Sequence, residues 1–307
     1  MKRKIVSLAL LFCMLFSVSG VKSSATEVGV TEDKGYIETR ATVKNEIGLK
    51  SIQKKENTSY RQIAIFFNER SLDTDARLIN GITYIALKSF ISRVAPEMNV
   101  YYNAQTRTLG VYGEGLEMTA KDGSYTLIAN GRALFNTSPI AVMANGELYV
   151  PILTAARALG FSLVPGGDRI HISGKVNPIM SGDKFYREDA VYWLSRIISA
   201  ESRGESLLGQ IAVGNVVMNR VASPLYPNTI WGVIFDKKYG VQFSPILDGS
   251  IYNPPTESAV IAAKVVLEGY SVNSEVLFFL APRYAQSSWI PKSREYEFSI
   301  GNHDFYS

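Results

Sequence analysis

The stretch from Ile197 to Arg220 constrains the fold more than any other part of the sequence. Two runs with a helical spacing of apolar residues flank a short polar corner, which reads ESRGE. Trp193, Ile197 and Glu201 are spaced four residues apart, so they share one face of the first run. The stretch therefore predicts two helices that meet at a corner, with a carboxyl at the end of an apolar stripe.

The Glu201 side chain at this corner has two interpretations. A carboxyl beside apolar side chains is partly desolvated, which raises its pKa, and an acid that donates a proton near neutral pH needs such an environment. A solvated residue near a helix C-terminus would show the same spacing. Spacing alone therefore leaves both interpretations open.

The N-terminus has the organisation of a secretory signal. A basic KRK sequence at positions 2–4 precedes an apolar run from Ile5 to Phe16, which is followed by small and polar residues up to Ala25. The apolar run is short for a membrane span, although an uncleaved anchor is a second interpretation. We therefore predict a signal peptide at residues 1–25 and export of the mature chain.

This signal segment also contains the sole cysteine and accounts for the whole formal net charge. Cys13 follows the bulky Phe12, whereas a lipoprotein cleavage site requires a small residue there. The mature chain then lacks cysteine, which excludes disulfides, thiol catalysis and cysteine-bound zinc. The formal charge of +4 comes from basic residues before Glu27, so the mature chain is near neutral and is not expected to bind nucleic acid.

Beyond the signal, the character of the sequence changes three times. Residues 26–60 are polar and charged with few large apolar side chains, which predicts a flexible spacer. Residues 61–174 are rich in strand-forming residues, and residues 175–183 (KVNPIMSGD) lack periodicity and mark a linker. Residues 184–307 have mainly helical patterns. The predicted fold class is therefore multidomain, with an α+β domain followed by a mainly helical α+β domain.

The first of these domains contains an internal repeat. The turn at Asn80-Gly81 is followed by a strand, a helical run from Ala86 to Val94 and the strand TLGVYG. About 65 residues later, Asn145-Gly146 introduces a strand, a helical run from Ile152 to Leu159 and the strand RIHIS. Each unit is thus a β-turn, a strand, a helix and a closing strand.

This pattern resembles the copper amine oxidase N-terminal-like domain, a stalk module of secreted bacterial proteins, over most of residues 62–174. The resemblance implies no copper chemistry, because one histidine, His171, and no cysteine cannot provide an ordinary set of copper ligands. His171 is interpreted as a strand residue, and no metal or other cofactor is expected. The stalk is a candidate surface for contact with the cell wall or with a partner protein.

The second domain, residues 184–307, is predicted to contain four helices and a late strand, and it holds all three tryptophans. The helices are expected at Arg187 to Ala200, at Leu207 to Val221, after a Thr229 cap, and at about Thr256 to Leu267, with the strand at Val276 to Leu280. The tail SIGNHDFYS is aromatic and short, and no element is assigned to it.

Several blocks of this domain resemble the spore cortex-lytic enzyme and cell-wall hydrolase family. They read AESRGESLLGQIAVGNVVMNRVASPLYPNTIWGVIF, QFSP, FFLAPRYAQSSW and IGNHDFY, with the helical run from Ala259 to Tyr270 between the second and third. They stand in the family's order and cover about residues 184–307. The resemblance implies a lysozyme-like fold and an enzyme that cleaves the glycan strands of peptidoglycan. One departure is Ala281 before Pro282, where many relatives carry Asn, so no role is assigned there.

The resemblance also identifies Glu201, the first Glu of the family's E-[AS]-R-G-E block, as the catalytic acid. Glycosidases ordinarily use two carboxylates, whereas a lytic transglycosylase needs one. Glu201 would protonate the leaving glycosidic oxygen and then deprotonate the muramic acid C6 hydroxyl, which closes onto C1 as a 1,6-anhydro product. Glu205 and Asp248 are candidates for a second carboxylate, although Glu205 can equally cap the next helix.

Further candidate residues lie near the corner, in a later loop and in the tail. Arg203 either supports the corner or holds a substrate carboxylate. The amides Gln210, Asn215 and Asn219 form a row on the second helix that is either a polar wall of the cleft or a solvated face. His303 is interpreted as a packing residue of the tail rather than as a metal ligand. The residues predicted to contact the glycan are Glu205, Arg203, Asn219, Gln242, Phe243 and Ser244.

The sequence thus predicts a secreted, monomeric enzyme, located at the cell wall or spore, that acts on peptidoglycan as a lytic transglycosylase. Two alternatives stay open: a hydrolytic muramidase or glucosaminidase with a second carboxylate, and a protein that binds the wall without cleaving it. A zinc amidase is disfavoured, because two histidines in separate domains make a poor zinc site. Residues 184–307 are expected to fold alone and to keep basal activity.

Overall fold

The computed structural model describes residues 60–142, 146–238, 240–285 and 289–307. The predicted signal peptide and all of the predicted spacer except Tyr60 lie outside these ranges. The described residues form a sheet-rich N-terminal domain and a C-terminal domain built around helices. None of the helices in these ranges combines the length and the apolar character that a membrane span requires.

The N-terminal domain consists of three sheets with two short helices. The strand orders of the sheets are β1-β4-β5-β12-β11, β10-β9-β8-β7-β6 and β13-β14-β2-β3, and all pairs are antiparallel except β14 with β2. The elements are β1 Arg61–Gln62, β2 Ala64–Phe67, β3 Arg70–Leu72, β4 Ala76–Ile79, β5 Ile82–Ala86, α1 Leu87–Val94, β6 Asn99–Asn103, β7 Thr108–Gly113, β8 Leu116–Lys121, β9 Thr126–Ala129, β10 Arg132–Phe135, β11 Ala141–Val142, β12 Leu148–Pro151, α2 Ile152–Leu159, β13 Ser162–Gly166 and β14 Arg169–Ser173.

Helices α1 and α2 close the core of this domain. The buried residues of α1 are Leu87, Phe90, Ile91 and Val94. Their spacing of three and four residues places them on one face, which packs into a core shared with α2 and with the inner faces of the strands. Helix α2 ends at Gly160, which adopts a left-handed conformation (φ 74°) that glycine tolerates without strain.

Both predicted helical runs of this domain are present, and each follows a strand of the same sheet. These strands, β5 and β12, pair with one another. Each helix leads into a hairpin, β6–β7 or β13–β14, rather than into a single strand. The first strand of each hairpin is not predicted, because NVYYN shows little alternation and SLVPG contains residues that are depleted in strands.

The C-terminal domain contains the four predicted helices, with boundaries shifted by a few residues, and a sheet of order β15-β17-β16. Its elements are α3 Gly182–Phe185, α4 Glu188–Ser202, α5 Leu207–Ala222, α6 Ile230–Ile234, α7 Glu257–Leu267, β15 Phe278–Leu280, α8 Trp289–Ser293, β16 Tyr296–Ile300 and β17 His303–Tyr306, with 3-10 turns at Ser244–Ile246, Ser250–Tyr252 and Pro282–Tyr284.

The core of this domain lies between α4, α5 and α7. Gly214 in α5 permits their close approach, since a Cβ there would lie 2.8 Å from Ile198 Cδ1 and 3.0 Å from Val266 Cγ2. The caps agree with the sequence patterns: the side chains of Thr229 and Thr256 accept hydrogen bonds from the first turns of α6 and α7. The packing of these helices fixes the position of the corner that follows α4.

The aromatic tail forms strand β17, which pairs with both β15 and β16. Phe305 is fully buried, and its ring stacks on Phe298 at 4.9 Å between centroids. The tail therefore belongs to the core of the C-terminal domain, a role that its short sequence pattern does not predict.

The two domains share a buried interface between β9–β10 and α7. Ala133 of β10 is fully buried within the C-terminal core, and Ile128 of β9 packs against the same core. Glu268, just after α7, accepts hydrogen bonds from Arg132 (two, both 2.7 Å), from Arg157 (2.7 Å) and from the Tyr186 hydroxyl (2.6 Å).

The predicted linker is hydrogen-bonded to the N-terminal domain along its length. The backbone nitrogens of Asn177 and Ile179 donate to carbonyls at the end of α2, and the Gly182 nitrogen donates to the Asn130 carbonyl at 2.7 Å. Lys264 of α7 also reaches back to the Gly131 carbonyl at 2.8 Å. The interface and the linker together hold α7 against the β9–β10 hairpin.

Candidate active site

The corner after α4 is closed by local hydrogen bonds. Glu201 lies in the last turn of α4, and the next residue, Ser202, is buried with its hydroxyl donating to the Ile198 carbonyl at 2.7 Å. The Glu205 backbone nitrogen donates to the Ser202 carbonyl at 2.9 Å, and the Ser206 side chain caps α5 by accepting from Gly209. These bonds fix the path of the backbone directly after Glu201.

The Glu201 carboxyl is largely withdrawn from water, and its pKa is raised to about 7. Desolvation by burial is the main cause, because it disfavours the charged form. The negative charge of Asp248 is the second cause and acts in the same direction. Of the two interpretations that the Trp193/Ile197/Glu201 spacing leaves open, the raised pKa therefore favours the desolvated carboxyl.

Asp248 is the carboxylate whose negative charge helps to raise the pKa of Glu201. It lies between the two 3-10 turns, is exposed, and accepts a hydrogen bond from the Ser250 backbone nitrogen at 2.8 Å. Hydrogen bonds from the Ser250 side chain and backbone lower the pKa of Asp248, so it is ionised at neutral pH. The site thus pairs a carboxyl of raised pKa with one of lowered pKa.

Glu205, the other candidate for a second carboxylate, is turned toward the tail hairpin. Its Oε1 accepts from the Asn302 side-chain nitrogen at 2.8 Å, and its Oε2 accepts from the Asn302 backbone nitrogen at 3.1 Å. Gly301 in the same turn has φ 59°, and a Cβ there would overlap the Glu205 carboxylate. These contacts give Glu205 a structural role at the β16–β17 turn, while its predicted contact with the glycan stays a prediction.

His303 packs beneath this turn, in agreement with its interpretation as a packing residue. Its ring contacts Phe279 and Phe305, and its Nδ1 lies 3.8 Å from Glu205 Oε1. Burial lowers the pKa of His303, although the charges of Glu205 and Asp304 oppose this effect. A neutral His303 beside Glu205 keeps the turn free of a buried positive charge.

The members of the amide row on α5 are hydrogen-bonded inside the domain. Gln210 and Asn215 are buried, and their amide nitrogens donate to the Glu205 and Tyr270 carbonyls, both at 2.9 Å. The Asn219 nitrogen donates to the carbonyls of Asn273 and Val276. The row ties α5 to the segment after α7, and glycan contact by Asn219 remains a prediction.

Of the three candidate residues in the later loop, Phe243 is a core residue, whereas Gln242 and Ser244 are accessible to solvent. Phe243 is 2% exposed within the C-terminal core, so its ring has a packing role rather than the predicted contact with the glycan. Gln242 is half-buried with its amide nitrogen bonded to the Gly240 carbonyl, and Ser244 is exposed at the start of a 3-10 turn. Arg203 is exposed at the corner.

A run of aromatic side chains includes Trp193 of α4, and most of it is not predicted from the sequence. The Trp193 ring lies 5.2 Å from Phe235 and 6.4 Å from Tyr252, and Phe235 in turn stacks on Trp231 at 5.1 Å. Trp231 and Tyr252 are exposed. The one sequence signal for these aromatic residues is that all three tryptophans lie in this domain. We call these four residues the aromatic run.

Two family models match the chain at separate segments. Residues 204–306 match the cell wall hydrolase family, and residues 66–169 match the copper amine oxidase N-terminal domain. Both resemblances predicted from the sequence are thereby confirmed. The chain belongs, through its C-terminal domain, to the cell wall hydrolase family. The matched segment begins just after Glu201 and includes Glu205.

Its relatives include spore cortex-lytic enzymes. The enzyme from Bacillus cereus is 37% identical over 120 residues, which are 39% of this chain and 45% of that protein. The enzyme from Bacillus subtilis strain 168 is 38% identical over 97 residues, which are 32% of this chain and 31% of that protein. The chain thus spans less than half the length of these relatives.

A solved structure is also similar to part of the chain. The catalytic domain of the germination-specific lytic transglycosylase SleB from Bacillus anthracis is 35% identical and is covered over its whole length, which corresponds to 42% of this chain, with a TM-score of 0.37.

Proposed function

We propose that this chain cleaves the glycan strands of peptidoglycan between N-acetylmuramic acid and N-acetylglucosamine, with Glu201 as the acid and base. The observation that carries the proposal is the raised pKa of Glu201, about 7, directly before a cell wall hydrolase segment. At neutral pH such a carboxyl is present both as acid and as carboxylate. This suits a group that first donates a proton and then accepts one.

The reaction proposed is that of a lytic transglycosylase. Protonated Glu201 donates its proton to the glycosidic oxygen, and the bond from that oxygen to muramic acid C1 breaks. The Glu201 carboxylate then takes the proton of the C6 hydroxyl, whose oxygen forms a bond to C1. One strand leaves with a 4-hydroxyl and the other with a 1,6-anhydro ring, so no water is consumed and Glu201 ends protonated again.

Asp248 has a defined electrostatic part in this proposal. Cleavage passes through an oxocarbenium-like transition state with positive charge at C1. An ionised Asp248 that acts on Glu201 raises the proton affinity of the acid, and it would also stabilise positive charge on a sugar bound between them. Glu205 is less suited to this part, because its two oxygens accept hydrogen bonds from Asn302.

The same observation supports the second candidate function, a hydrolytic muramidase or glucosaminidase. In that case Asp248 would act as base or nucleophile opposite the Glu201 acid, which is the two-carboxylate arrangement of most glycosidases. The lowered pKa of Asp248 is compatible with either role. The products of the reaction distinguish the two functions.

The aromatic run provides a surface on which a glycan strand can lie next to Glu201. Exposed rings such as Trp231 and Tyr252 offer flat apolar area together with a polar edge, which suits the C–H face and the hydroxyls of a pyranose. On this proposal Gln242, Ser244 and Arg203 contribute polar contacts at the rim. The strand would be held along α4, with the scissile bond at its C-terminal end.

The relatives indicate where the substrate of this activity would be located. Proteins named spore cortex-lytic enzymes match the C-terminal domain, so we infer an extracytoplasmic substrate, in the spore cortex or in the cell wall. Export through the predicted signal peptide would deliver the protein to either location.

Mass spectrometry of the products tests the proposed reaction. Purified peptidoglycan incubated with the full chain should release 1,6-anhydro-muropeptides, which are one water lighter than hydrolysis products because the C6 hydroxyl replaces water. Reducing-end products without the anhydro form would instead assign the chain to the hydrolases. Binding without any released fragment would leave only a wall-binding role.

The raised pKa of Glu201 also predicts a pH-dependent gain in stability for Glu201→Gln. In the folded state the pKa of Glu201 is about 7, whereas its ordinary pKa is 4.5. Between these two pH values the folded state therefore binds more protons than the unfolded chain. Stability therefore falls as the pH rises through this window. Above pH of about 7 the ionised Glu201 lowers the free energy of unfolding by an amount on the order of 2 kcal/mol, after a discount for partial exposure.

Glutamine has no charge to desolvate, so Glu201→Gln should melt a few degrees higher than the parent protein at pH 8. At pH 4.5 or below, where the folded parent is protonated, the two proteins should melt together. Calorimetry at both pH values measures the difference. An equal difference at the two pH values would show that ionisation of Glu201 is not its cause.

A further inference from the structure

The outward face of the sheet β10-β9-β8-β7-β6 is covered at one end and open at the other. The residues that oppose one another directly across its five strands are Tyr101, Gly110, Thr119, Ile128 and Ala133. Ile128 and Ala133, at the β9–β10 end, pack into the core of the C-terminal domain. At the β6–β7 end the same face carries exposed side chains.

Two tyrosines form the surface of this open end. Tyr101 of β6 is 52% exposed and Tyr112 of β7 is 49% exposed, and their ring centroids lie 6.0 Å apart. Gly110 is the reason that the Tyr101 ring lies flat, because a Cβ at this position would overlap the ring. One face of the Tyr101 ring therefore rests on the backbone of β7, and the other face is presented to water.

Hydrogen-bonding side chains lie next to these rings on the same face of the sheet. Asn99 is paired with Tyr112, and Thr119 is paired with Gly110, and both are accessible to solvent. A flat ring flanked by amide and hydroxyl groups matches a pyranose, which has an apolar C–H face and a polar rim. Tyrosine serves such contacts well because it combines an apolar ring with a hydroxyl.

We propose that this face, defined by Tyr101 and Tyr112, is a second, non-catalytic binding surface for the glycan strands of peptidoglycan. The choice of occupant rests on the proposed function of the C-terminal domain. It also rests on continuity, because the same sheet face runs from the tyrosines to Ile128 and Ala133 in the domain interface. A strand bound here would keep the chain on an insoluble wall between cleavage events.

The test is co-sedimentation of the full chain with purified insoluble peptidoglycan. All variants carry Glu201→Gln, so that the wall is bound but not degraded. Tyr101→Ala combined with Tyr112→Ala should weaken binding about tenfold, which is the scale on which truncation of aromatic anchors acts. Tyr101→Phe combined with Tyr112→Phe keeps both rings and should retain most of the binding.

Tyr102→Ala is the matched control. Tyr102 is the neighbouring residue of β6 and is 50% exposed, but it belongs to the opposite face of the sheet. Its variant should sediment like the parent. Equal binding by the parent and the double alanine variant would overturn the proposal, and so would an equal loss with Tyr102→Ala.

The result does not depend on the proposed catalysis. A chain with Glu201 intact that binds the wall through these tyrosines but releases no fragments from it would refute the proposed reaction alone. In the active chain, the double alanine variant should be slower on insoluble wall and unchanged on short soluble glycan fragments. An equal loss on both substrates would place the tyrosines in the action of the catalytic domain instead and overturn the proposal.

Discussion

Glu201→Gln is expected to remove nearly all glycan-cleaving activity from a protein that remains folded. Glutamine has almost the same shape but cannot donate a proton to the glycosidic oxygen or accept one from the C6 hydroxyl. A general acid or base contributes on the order of 10²–10⁴-fold, and a residue that serves as both should lie in the upper part of that range. Loss of turbidity of purified walls measures the rate, and circular dichroism checks the fold.

Two further carboxylates provide controls for this result. Glu205→Gln should reduce activity less than tenfold and act mainly through stability, because Glu205 binds the β16–β17 turn; a hydrogen bond to a charged group is worth about 1.5–3 kcal/mol. Asp248→Asn should reduce activity and also lower the pH above which activity declines, since the charge of Asp248 helps to raise the pKa of Glu201. If Glu205→Gln were as damaging as Glu201→Gln in a folded protein, the single-acid mechanism would be wrong.

The helical part of the C-terminal domain could be predicted from local sequence because its signals are local. The caps Thr229 and Thr256 lie next to the helices that they begin, and the boundaries of α4 and α5 fall within two residues of the prediction. Strands depend on partners that are distant in the chain. The tail strand β17 is defined by pairing with β15 and β16, so SIGNHDFYS carries no sufficient signal of its own.

The candidate site shows the same division between local and distant determinants. The spacing of Trp193, Ile197 and Glu201 leaves a desolvated and a solvated carboxyl both open, and the raised pKa of Glu201 favours the desolvated one. The role of Glu205 depends on Asn302, which is 97 positions away. The predicted contact of Phe243 with the glycan rests on residue type alone, and residue type does not distinguish a buried ring from an exposed one.

The domain interface is the feature that sequence reasoning misses most completely. Residues 175–183 have the composition of a flexible connection, yet their backbone is bonded to the N-terminal domain. The ion pair between Arg132 and Glu268 joins residues 136 positions apart, a separation at which no periodicity or motif operates. The interface also bears on the expectation that residues 184–307 fold alone, because it supplies part of their core.

Glu268→Gln is therefore expected to destabilise the full chain strongly. The side chains of Glu268 and Arg132 are 4% and 7% exposed, and Arg157 and Tyr186 bond to the same carboxylate. Removal of one member of a buried ion pair costs about 3–5 kcal/mol, because the remaining charge is left buried without its partner. Calorimetry of the full chain should show a large fall in melting temperature. Asp189→Asn is the matched control, since its ion pair with Arg187 is exposed and such pairs contribute about 0–1 kcal/mol.

The fragment 184–307 separates the interface from the rest of the C-terminal domain. It lacks Arg132 and Arg157, so Glu268 would face water there and its charge would be hydrated rather than paired. Glu268→Gln should therefore be nearly neutral in the fragment while it is severe in the full chain. The fragment should also melt at a lower temperature than the full chain, because Ala133 and Ile128 no longer cover its core. An equally large loss in both proteins would mean that Glu268 stabilises the C-terminal domain by itself, and the interface would then be a contact of little energetic consequence.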